Sequence, residues 1–547
     1  MGLYQMPKFK DAIALGHHHE DDDDHVVRGG PDMTDFGTAD PQEFSLDPYA
    51  GGTWSGKPIA DLDQVVDQID SGRAQKVTAN NKITFTFLDE GDGLISIYNN
   101  PNYGFTAGEG LAAFSDAQKA EARESIELWD DLIAPDIVET KGRGADIQFA
   151  NSTDPAQAYA YFPNEKGGYK YLGDVFVADP EVNWSNAWLN YGGYGATTLV
   201  HELGHALGLS HPGAYNGAAA TNYAGQAEYA QDSEQYTIMS YWGLENTSLN
   251  TLNVDWSTGF YNNPQTPLVH DILTIQSKYG ADPTTRAGDT TYGWNSTAGN
   301  EVYDFSVNLF PYLSIYDAGG NDTIDMSGAG VSVYINLNEG QFSSGAAAIP
   351  DEDVINANRE YIRSTGYEEQ TGSTLVNVAE GTTDRWAASY QPYYEQTLQT
   401  DTALATGYSI DGLFTTAVDN LSIAYGTVIE NAIGSSERDF LVGNQVANVL
   451  DGGAGSDVLL GDAGADTFLF QDLDGVDTIL DFETGVDSID VSALGFSSFS
   501  DTGAFSGTAG ELIYADGMIQ GDLDGDGVAD FQIDVQGDPV TADDLLL

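Results

Sequence analysis

Apolar and polar residues in the first half of the chain follow two periods, one typical of helices and one of strands. Helical spacing, with Ser115 suited to cap the second element, predicts helices over 61–69, 115–133, 197–208 and 269–280. Strand-like alternation or short apolar runs predict strands over 82–89, 145–151 and 171–179. Helices and strands interspersed in this way predict a folded domain that contains both kinds of element.

The pattern changes near residues 281–285. Beyond this point short apolar runs alternate with Gly, Asn and Asp, and no helix is obvious. We therefore expect three segments: a leader or propeptide over 1–49, an α+β domain over 50–283 and an all-β domain over 284–547.

The leader is polar and contains the run HHHEDDDDH, which predicts a largely disordered segment. Its start lacks the apolar core of a secretory signal peptide. No apolar run approaches the roughly 18 residues of a membrane helix, so membrane insertion is not expected. The protein either stays inside the cell or leaves by a route that does not use an N-terminal signal.

Charge narrows the classes of partner. The chain has 85 acidic and 19 basic side chains, a net charge of −66, which makes nucleic acids and anionic membranes poor partners. No Lys or Arg follows Arg438, so the Asp-rich end of the chain is either a salt-adapted surface or a domain neutralised by calcium. The absence of cysteine excludes disulfides and thiolate zinc sites.

Histidine is concentrated in the segment TTLVHELGHALGLSHPG, residues 197–213. The chain has eight histidines, and three of the four outside the leader lie here. On a helix, His201 and His205 leave the same face one turn apart and can bind one zinc ion. Gly208 permits the helix to end, and Pro212 prevents it from resuming, so that His211 can return as a third ligand. Three neutral ligands leave a position open, which is typical of catalytic zinc.

Two further residues fit this chemistry. Glu202 follows the first histidine and is placed to act as a general base toward water rather than as a ligand. The downstream segment YTIMSYW supplies Met239 for the tight turn that the extended HExxHxxGxxH motif requires. The alternative, a buried helix with histidines by chance, does not account for this combination.

A nine-residue register begins at Gly434, in the segments GSSERDFLV, GNQVANVLD, GGAGSDVLL and GDAGADTFL. It matches the pattern GGxGxDxUx, which binds calcium in a parallel β-roll through loop carbonyls and Asp carboxylates. Alternate loops should stack, which pairs Asp439 with Asp457 and Asn448 with Asp466. The first two repeats depart from the pattern. The residues predicted to bind calcium are Gly434, Asp439, Gly443, Asn448, Gly452, Gly453, Gly455, Asp457, Gly461, Gly464 and Asp466.

The segments HELGHALGLSHPG and TIMSYW, together with QAYAYFP, YDAGGNDTIDMSG and GTVIENAIG, resemble the serralysins, which are metallopeptidases of the metzincin clan with a C-terminal RTX calcium-binding β-roll. The resemblance spans roughly 55–547. It implies an α+β, metzincin-like catalytic domain with a mixed, twisted sheet and long helices, followed by an all-β parallel β-roll or sandwich domain. It also implies a secreted, monomeric zinc endopeptidase that cleaves extracellular proteins and leaves the cell through a type I exporter.

The same resemblance implies several residue roles. His201, His205 and His211 bind zinc, Glu202 is the general base and Met239 forms the turn. Tyr241 corresponds to a tyrosine that binds the resting zinc and then donates a hydrogen bond to the oxyanion. A further calcium site is implied at Arg286, Gly288, Thr290, Asp317, Gly319 and Asp322.

Other segments leave alternatives open. The loop DLDGDGVAD, with Asp522, Asp524, Asp526 and Asp530, is either a calcium loop or a polar hairpin. Residues 345–419 replace a short link of the family pattern, either as a surface excursion of the roll or as an aromatic substrate-docking loop. The terminal TADDLLL resembles the signal by which serralysins reach their exporter, although a frayed end is the simpler alternative.

The competing function is a calcium-binding surface protein or adhesin without catalysis, which would keep the repeats but has no need of Glu202 or Met239. If the enzyme has a latent form, the lack of cysteine leaves a carboxylate or histidine to maintain it. The leader run 17–25 is the candidate for that role.

Overall fold

The computed structural model describes residues 46, 48–49, 51–78, 80–89, 110–141, 144–153, 156–163, 173–216, 220–500 and 503–547. The predicted leader, including the run 17–25, lies outside these residues except for positions 46, 48 and 49. The chain forms two compact units. The first unit comprises the chain up to Thr285 together with Tyr312–Ser314 and Asp351–Glu380, and the second unit comprises the rest.

A five-stranded sheet, counted over the described residues, forms the centre of the first unit, in the order β4-β3-β5-β7-β6. Only the edge strand β6 runs antiparallel to its neighbour. The strands of this unit are β1 (Thr53–Trp54), β2 (Lys57–Pro58), β3 (Lys82–Phe87), β4 (Asp136–Glu139), β5 (Ile147–Ser152), β6 (Ala158–Ala160), β7 (Val175–Ala178), β8 (Val254–Asp255) and β9 (Phe260–Tyr261).

Amphipathic helices pack with this sheet. As predicted, Ser115 caps the second helix: its hydroxyl accepts from Gln118 N, and the Gln118 side chain accepts from Ser115 N. Trp129 is fully buried and donates from Nε1 to the carbonyl of Val200, at 3.0 Å. This contact holds the helix over Asp116–Asp130 against the helix over Tyr194–Leu207. The helices of the unit are α1 (Leu62–Ile69), α2 (Asp116–Asp130), α3 (Tyr194–Leu207), α4 (Tyr223–Gln226), α5 (Val269–Tyr279), α6 (Glu352–Ser364) and α7 (Tyr367–Thr371).

Helices α6 and α7 belong to the predicted insertion 345–419 and correct the expectation of a helix-free, all-β second half. The segment EDVINANREYIRS places apolar residues at helical spacing, and Ile355 and Ile362 are fully buried. A third helix of the insertion, α8 (Thr382–Thr406), lies in the second unit. The helical spacing of apolar residues was obscured because polar residues dominate α6 and α8 and because α8 contains Pro392.

The part of the insertion in the first unit packs against the chain that leads into α3. Ile362 and Tyr367 form one buried cluster with Trp188 and Phe260. The Tyr361 hydroxyl donates to the carbonyl of Ala187, at 3.0 Å. Four hydrogen bonds continue the contact: Leu189 N to Tyr361 Oη, Trp184 N to Gln370 Oε1, Gln370 Nε2 to Pro180 O and Arg359 Nε to Thr258 O. The segment is therefore an integral part of the first unit rather than an excursion of the roll.

Replacing Ile362 with alanine should lower the free energy of unfolding of the first unit by about 2 to 5 kcal/mol, because it removes a buried side chain and leaves a cavity. Val354→Ala on the same helix is the control, since Val354 is 41% exposed. Urea unfolding followed by tryptophan fluorescence would measure both. Equal effects of the two variants would contradict the packing described for α6.

The strands from residue 291 onwards are β10 (Thr291–Gly293), β11 (Leu313–Ile315), β12 (Thr323–Asp325), β13 (Tyr334–Asn336), β14 (Phe342–Ser343), β15 (Leu421–Ile423), β16 (Asn431–Ile433), β17 (Phe440–Val442), β18 (Val449–Asp451), β19 (Val458–Leu460), β20 (Thr467–Leu469), β21 (Asp477–Phe482), β22 (Ser488–Asp490), β23 (Ser498–Ser500), β24 (Glu511–Ala515), β25 (Met518–Asp522), β26 (Phe531–Gly537) and β27 (Leu545–Leu546). All of them belong to the second unit except the first two residues of β11. Two parallel sheets build this unit, in the orders β10-β12-β16-β18-β20-β22-β27 and β13-β17-β19-β21-β26, and the second sheet continues through β25, β24 and β23.

Successive short strands of the nine-residue register alternate between these two sheets. Leu441, Leu450, Leu459 and Phe468, the apolar column of the register, are all fully buried. Parallel pairing aligns Leu441 with Leu459 and Leu450 with Phe468. The end of the chain pairs as well, with Leu545 opposite Ile489, so it is not frayed.

Candidate active site

Helix α3 carries the first two histidines of the motif and begins three residues earlier than predicted. It ends at Gly208, whose φ of 104° lies in the left-handed region that the sequence analysis required there. The turn returns the chain to His211. His201 and His205 are buried, and His211 is partly buried. One ring nitrogen of each lies within 4.8 Å of one from each of the others.

Backbone carbonyls orient the three rings. The Nδ1 atoms of His201, His205 and His211 lie 2.7, 2.8 and 3.1 Å from the carbonyl oxygens of Ile238, Leu209 and Tyr215. A carbonyl only accepts, so each Nδ1 carries the proton and each Nε2 presents its lone pair. The Nε2 atoms of His205 and His211 are 3.0 Å apart, and those of His211 and His201 are 3.4 Å apart.

Burial also favours the neutral form of the imidazole, which is the form that binds metal ions. It lowers the pKa of His205 to about 4, so this imidazole is neutral at pH 7. Three neutral, converging nitrogens are the donor set that zinc prefers. The predicted ligands therefore fit a zinc ion in type, protonation and orientation.

The predicted catalytic side chains lie beside these nitrogens. Glu202 is 1% exposed and lines a cleft together with His201. The ring centroid of Tyr241 is 4.5 Å from that of His211, and the Tyr241 hydroxyl donates to Asn216 Oδ1 at 3.3 Å. The site thus combines candidate metal ligands, a carboxylate and a phenol hydroxyl.

Known proteins similar to this chain are metallopeptidases. A family described as the C-terminal domain of Peptidase M10 serralysin matches residues 281–350 and 410–547. Metallopeptidase AprA of Pseudomonas marginalis is 32% identical over 95% of this chain and 98% of its own length. The chain belongs to the serralysin family of metallopeptidases. Metalloprotease AprA of Pseudomonas entomophila is 32% identical over 90% of this chain and 92% of its own, and a serralysin of Photorhabdus laumondii is 32% identical over 80% and 81%.

Membership of this family makes the protein a metalloendopeptidase. The family match omits residues 351–409, which include helices α6, α7 and α8. The helical insertion is therefore a feature that this chain adds to the matched domain.

Met239 lies under the histidine helix as its motif predicted. It is fully buried, and a Cβ added to Gly204 would lie 2.6 Å from Met239 Sδ. Any larger residue at position 204 would therefore collide with the methionine. Asp271 of α5 fixes this turn, accepting from the Thr237 hydroxyl at 2.6 Å and from Ile238 N at 2.7 Å.

Asp232 is a second supporting carboxylate that the sequence analysis missed. It is fully buried, and its Oδ1 accepts from the hydroxyls of Tyr215 and Ser240, at 2.7 and 2.8 Å. The carbonyl of Tyr215 orients His211, and Ser240 adjoins Tyr241. Asp232 thereby links the third candidate ligand to the turn that carries the tyrosine. No motif signals this role, because the contact depends on tertiary structure.

The candidate calcium residues of the roll come together in the predicted pairs. Asp457 Oδ1 accepts from Asp439 N, and Asp466 Oδ1 accepts from Asn448 N, both at 2.8 Å. Asp457 Oδ2 is buried and has no hydrogen-bond partner. Such a carboxylate oxygen is suited to a calcium ion. The remaining candidate glycines, 434, 443, 452, 453, 455, 461 and 464, lie in the same loops.

The two columns of carboxylates continue beyond the predicted repeats. Asp477 Oδ1 accepts from Asp457 N at 2.9 Å, and Asp487 Oδ1 accepts from Asp466 N at 3.0 Å. The nine-residue register did not reveal Asp477 and Asp487, because their spacings from the preceding aspartates are 20 and 21 residues instead of 18.

The candidate calcium residues upstream of the repeats, between Arg286 and Asp322, also lie close together. Thr290 N donates to Asp322 Oδ1 at 2.8 Å, and the Thr290 hydroxyl donates to Gly288 O at 2.8 Å and to Arg286 O at 3.3 Å. Gly319 N donates to Asp317 Oδ1, at 2.7 Å. Asp322 Oδ2 is buried without a hydrogen-bond partner, which again suits a cation.

The loop over 522–530 joins the antiparallel strands β25 and β26, so it is a hairpin connection. Oxygens of Asp522, Asp524 and Asp530 lie within 4.8 Å of one another, and Asp526 is not part of this group. Asp522 accepts from Gly525 N and Gly527 N, at 2.6 and 2.8 Å. Its carboxylate is thus already used to shape the hairpin. Over the described residues no helix is long and apolar enough to cross a membrane.

Proposed function

We propose that the protein is a secreted, zinc-dependent endopeptidase of extracellular proteins whose second unit is stabilised by calcium. The observation that supports this most strongly is the convergence of three Nε2 atoms beside Glu202. Each Nδ1 is held by a backbone carbonyl, so the protein itself orients the three Nε2 atoms toward one another.

His201, His205 and His211 would hold one zinc ion, with Tyr241 as a further ligand in the resting enzyme. Zinc held there would polarise the scissile carbonyl as a Lewis acid and would lower the pKa of water to about 7. Asp232 and Asp271 keep the third ligand and the methionine turn in place through the hydrogen bonds described above.

Glu202 acts as the general base and acid. Its carboxylate takes a proton from the attacking water and then delivers it to the nitrogen of the leaving amine. The Tyr241 hydroxyl donates a hydrogen bond to the oxygen that becomes negatively charged. Both side chains are nearly buried, at 1% and 9% exposure, which strengthens these interactions.

Calcium in the second unit would be held by the two columns of Asp carboxylates and the upstream group at Asp317 and Asp322. The calcium ions would neutralise carboxylates that otherwise repel one another at close range. We infer that the chain end TADDLLL directs export through a type I channel. A need for calcium in folding is consistent with this route, because low cytosolic calcium would leave the second unit unfolded until it reaches the medium.

An adhesin without catalysis is the competing function. It accounts for the carboxylate columns but not for Glu202 beside three converging imidazoles, nor for two buried aspartates that support them. The endopeptidase accounts for all of these features.

The purified wild-type protein should contain one zinc ion and hydrolyse casein. Tyr241→Phe should retain the zinc and lower kcat by about 10² to 10³-fold, because the hydroxyl contributes to oxyanion stabilisation. Metal content by mass spectrometry and peptide kinetics would measure both quantities.

A matched control is Tyr159→Phe, which removes a hydroxyl from strand β6 of the same unit and should leave kcat within about twofold. A zinc-loaded wild-type protein without peptidase activity would contradict the proposed function. An effect of Tyr241→Phe confined to KM would contradict the oxyanion role.

A further inference from the structure

A cleft opens beside the candidate catalytic residues of the first unit. His201 and Glu202 form one side, and Gln157, Thr198, Glu234 and Pro264 are among the other residues that line it. Its volume of about 360 Å³ includes space that is open to solvent, and its enclosed part holds about one water molecule. A substrate side chain next to the reacting bond therefore enters the cleft only when the lining side chains shift.

The position of Glu202 identifies which substrate residue enters. Glu202 returns its proton to the leaving nitrogen, so the amine half of the substrate must lie on the side of this carboxylate. The residue immediately after the cleaved bond begins at that nitrogen. Its side chain therefore points into the cleft lined by Glu202.

Glu234 gives the cleft an acidic wall. Its Oε2 accepts from the Tyr261 hydroxyl at 2.8 Å, and its backbone carbonyl accepts from the Tyr312 hydroxyl at 2.7 Å. These neutral donors hold the residue in place but do not neutralise its charge. No Lys or Arg occurs in the sequence from Leu172 to Ser277, the stretch that supplies most of the cleft.

Electrostatics around Glu234 favour an incoming cation. Burial, together with the nearby carboxylate of Glu245, raises the pKa of Glu234 to about 7. Both causes make the charged form costly in the free enzyme. A lysine or arginine side chain would reverse that cost by pairing with the carboxylate in a region with little solvent.

We infer that Glu234 selects substrates with lysine or arginine immediately after the cleaved bond. This inference rests on the proposed peptidase function and adds a specificity-determining residue to it. Glu234 binds the substrate side chain and takes no part in proton transfer.

Peptides of equal net charge provide the test. One has Lys directly after the cleaved bond and Leu four positions later, and the other exchanges these two residues. For the wild-type enzyme kcat/KM should be about tenfold or more higher for the first peptide, as expected for a charge pair formed away from solvent. Equal total charge removes the general attraction of cationic peptides to this acidic protein.

Glu234→Gln should reduce this ratio to about twofold or less, since the amide keeps an acceptor for Tyr261 but loses the charge. Glu228→Gln is the control, because Glu228 is exposed and lies outside the residues that line the cleft. The control variant should retain the wild-type ratio.

A ratio unchanged in Glu234→Gln would overturn the inference. If that variant does not fold, cut sites of the wild-type enzyme in denatured casein, mapped by mass spectrometry, provide the second measurement. Enrichment of Lys and Arg after the cut supports the inference, and no enrichment overturns it while leaving the peptidase function intact. A zinc-loaded wild-type protein that cleaves neither substrate would instead contradict the proposed function.

Discussion

Replacing Glu202 with glutamine should lower kcat for peptide hydrolysis by about 10² to 10⁴-fold, because an amide cannot take the proton from the attacking water. Zinc content should stay at one ion per chain, since all three imidazoles and their carbonyl partners are retained. Single-turnover kinetics and metal analysis of the same preparation would measure both quantities.

The outcome separates two roles for Glu202. If it is a ligand instead of a base, the glutamine variant will lose zinc and activity together. If the variant keeps both zinc and substantial activity, the general base must be another residue. His205→Ala is the comparison, because it should lose the metal as well as the activity.

Calcium-free protein should become less stable as the pH rises from about 4 to about 9. Burial is the main cause that raises the pKa of Asp439 to about 8, of Asp457 to about 9, and of Asp466 and Asp477 to about 7. Because these values exceed the ordinary value of 3.8, the folded state binds more protons than the unfolded state. The stabilisation is complete below about pH 4 and is lost as each folded pKa is passed.

Calcium bound at the proposed sites should reverse this trend, because it would remove the mutual repulsion of the ionised carboxylates. At pH 9 added calcium should raise the Tm of the second unit by about 10 °C or more, and magnesium should raise it far less. Circular dichroism of the full chain, dialysed free of calcium, would follow unfolding at pH 5, 7 and 9. A calcium-free Tm that is higher at pH 9 than at pH 5 would contradict this account.

Local patterns predicted much of the fold and of the candidate site. The motif over 197–213 placed His201, His205, Glu202 and Gly208 correctly on and after a helix, because helical spacing alone fixes which side chains share a face. The nine-residue register likewise predicted that Asp439 adjoins Asp457, since a regular parallel coil repeats its contacts every second turn.

The residues that sequence analysis missed act through contacts between distant segments. Asp232 reaches Tyr215, and Asp271 of α5 reaches the methionine turn, and neither pair has a spacing that signals a contact. The proposed role of Glu234 was missed for the same reason, because it depends on the cleft that distant segments form around this side chain. The insertion 345–419 was predicted but its helices were not, because polar residues dominate them and each buries only one narrow face.

The location of α6 and α7 in the sequence limits when the catalytic unit can complete its folding. Their residues follow the start of the second unit in the chain, yet they complete the packing around the segment that leads into the histidine helix. During synthesis the catalytic unit cannot reach its final packing before the residues up to Glu380 have been made and have joined it. A chain interrupted between Thr285 and Asp351 would carry every candidate catalytic residue but lack part of the support for its active-site helix.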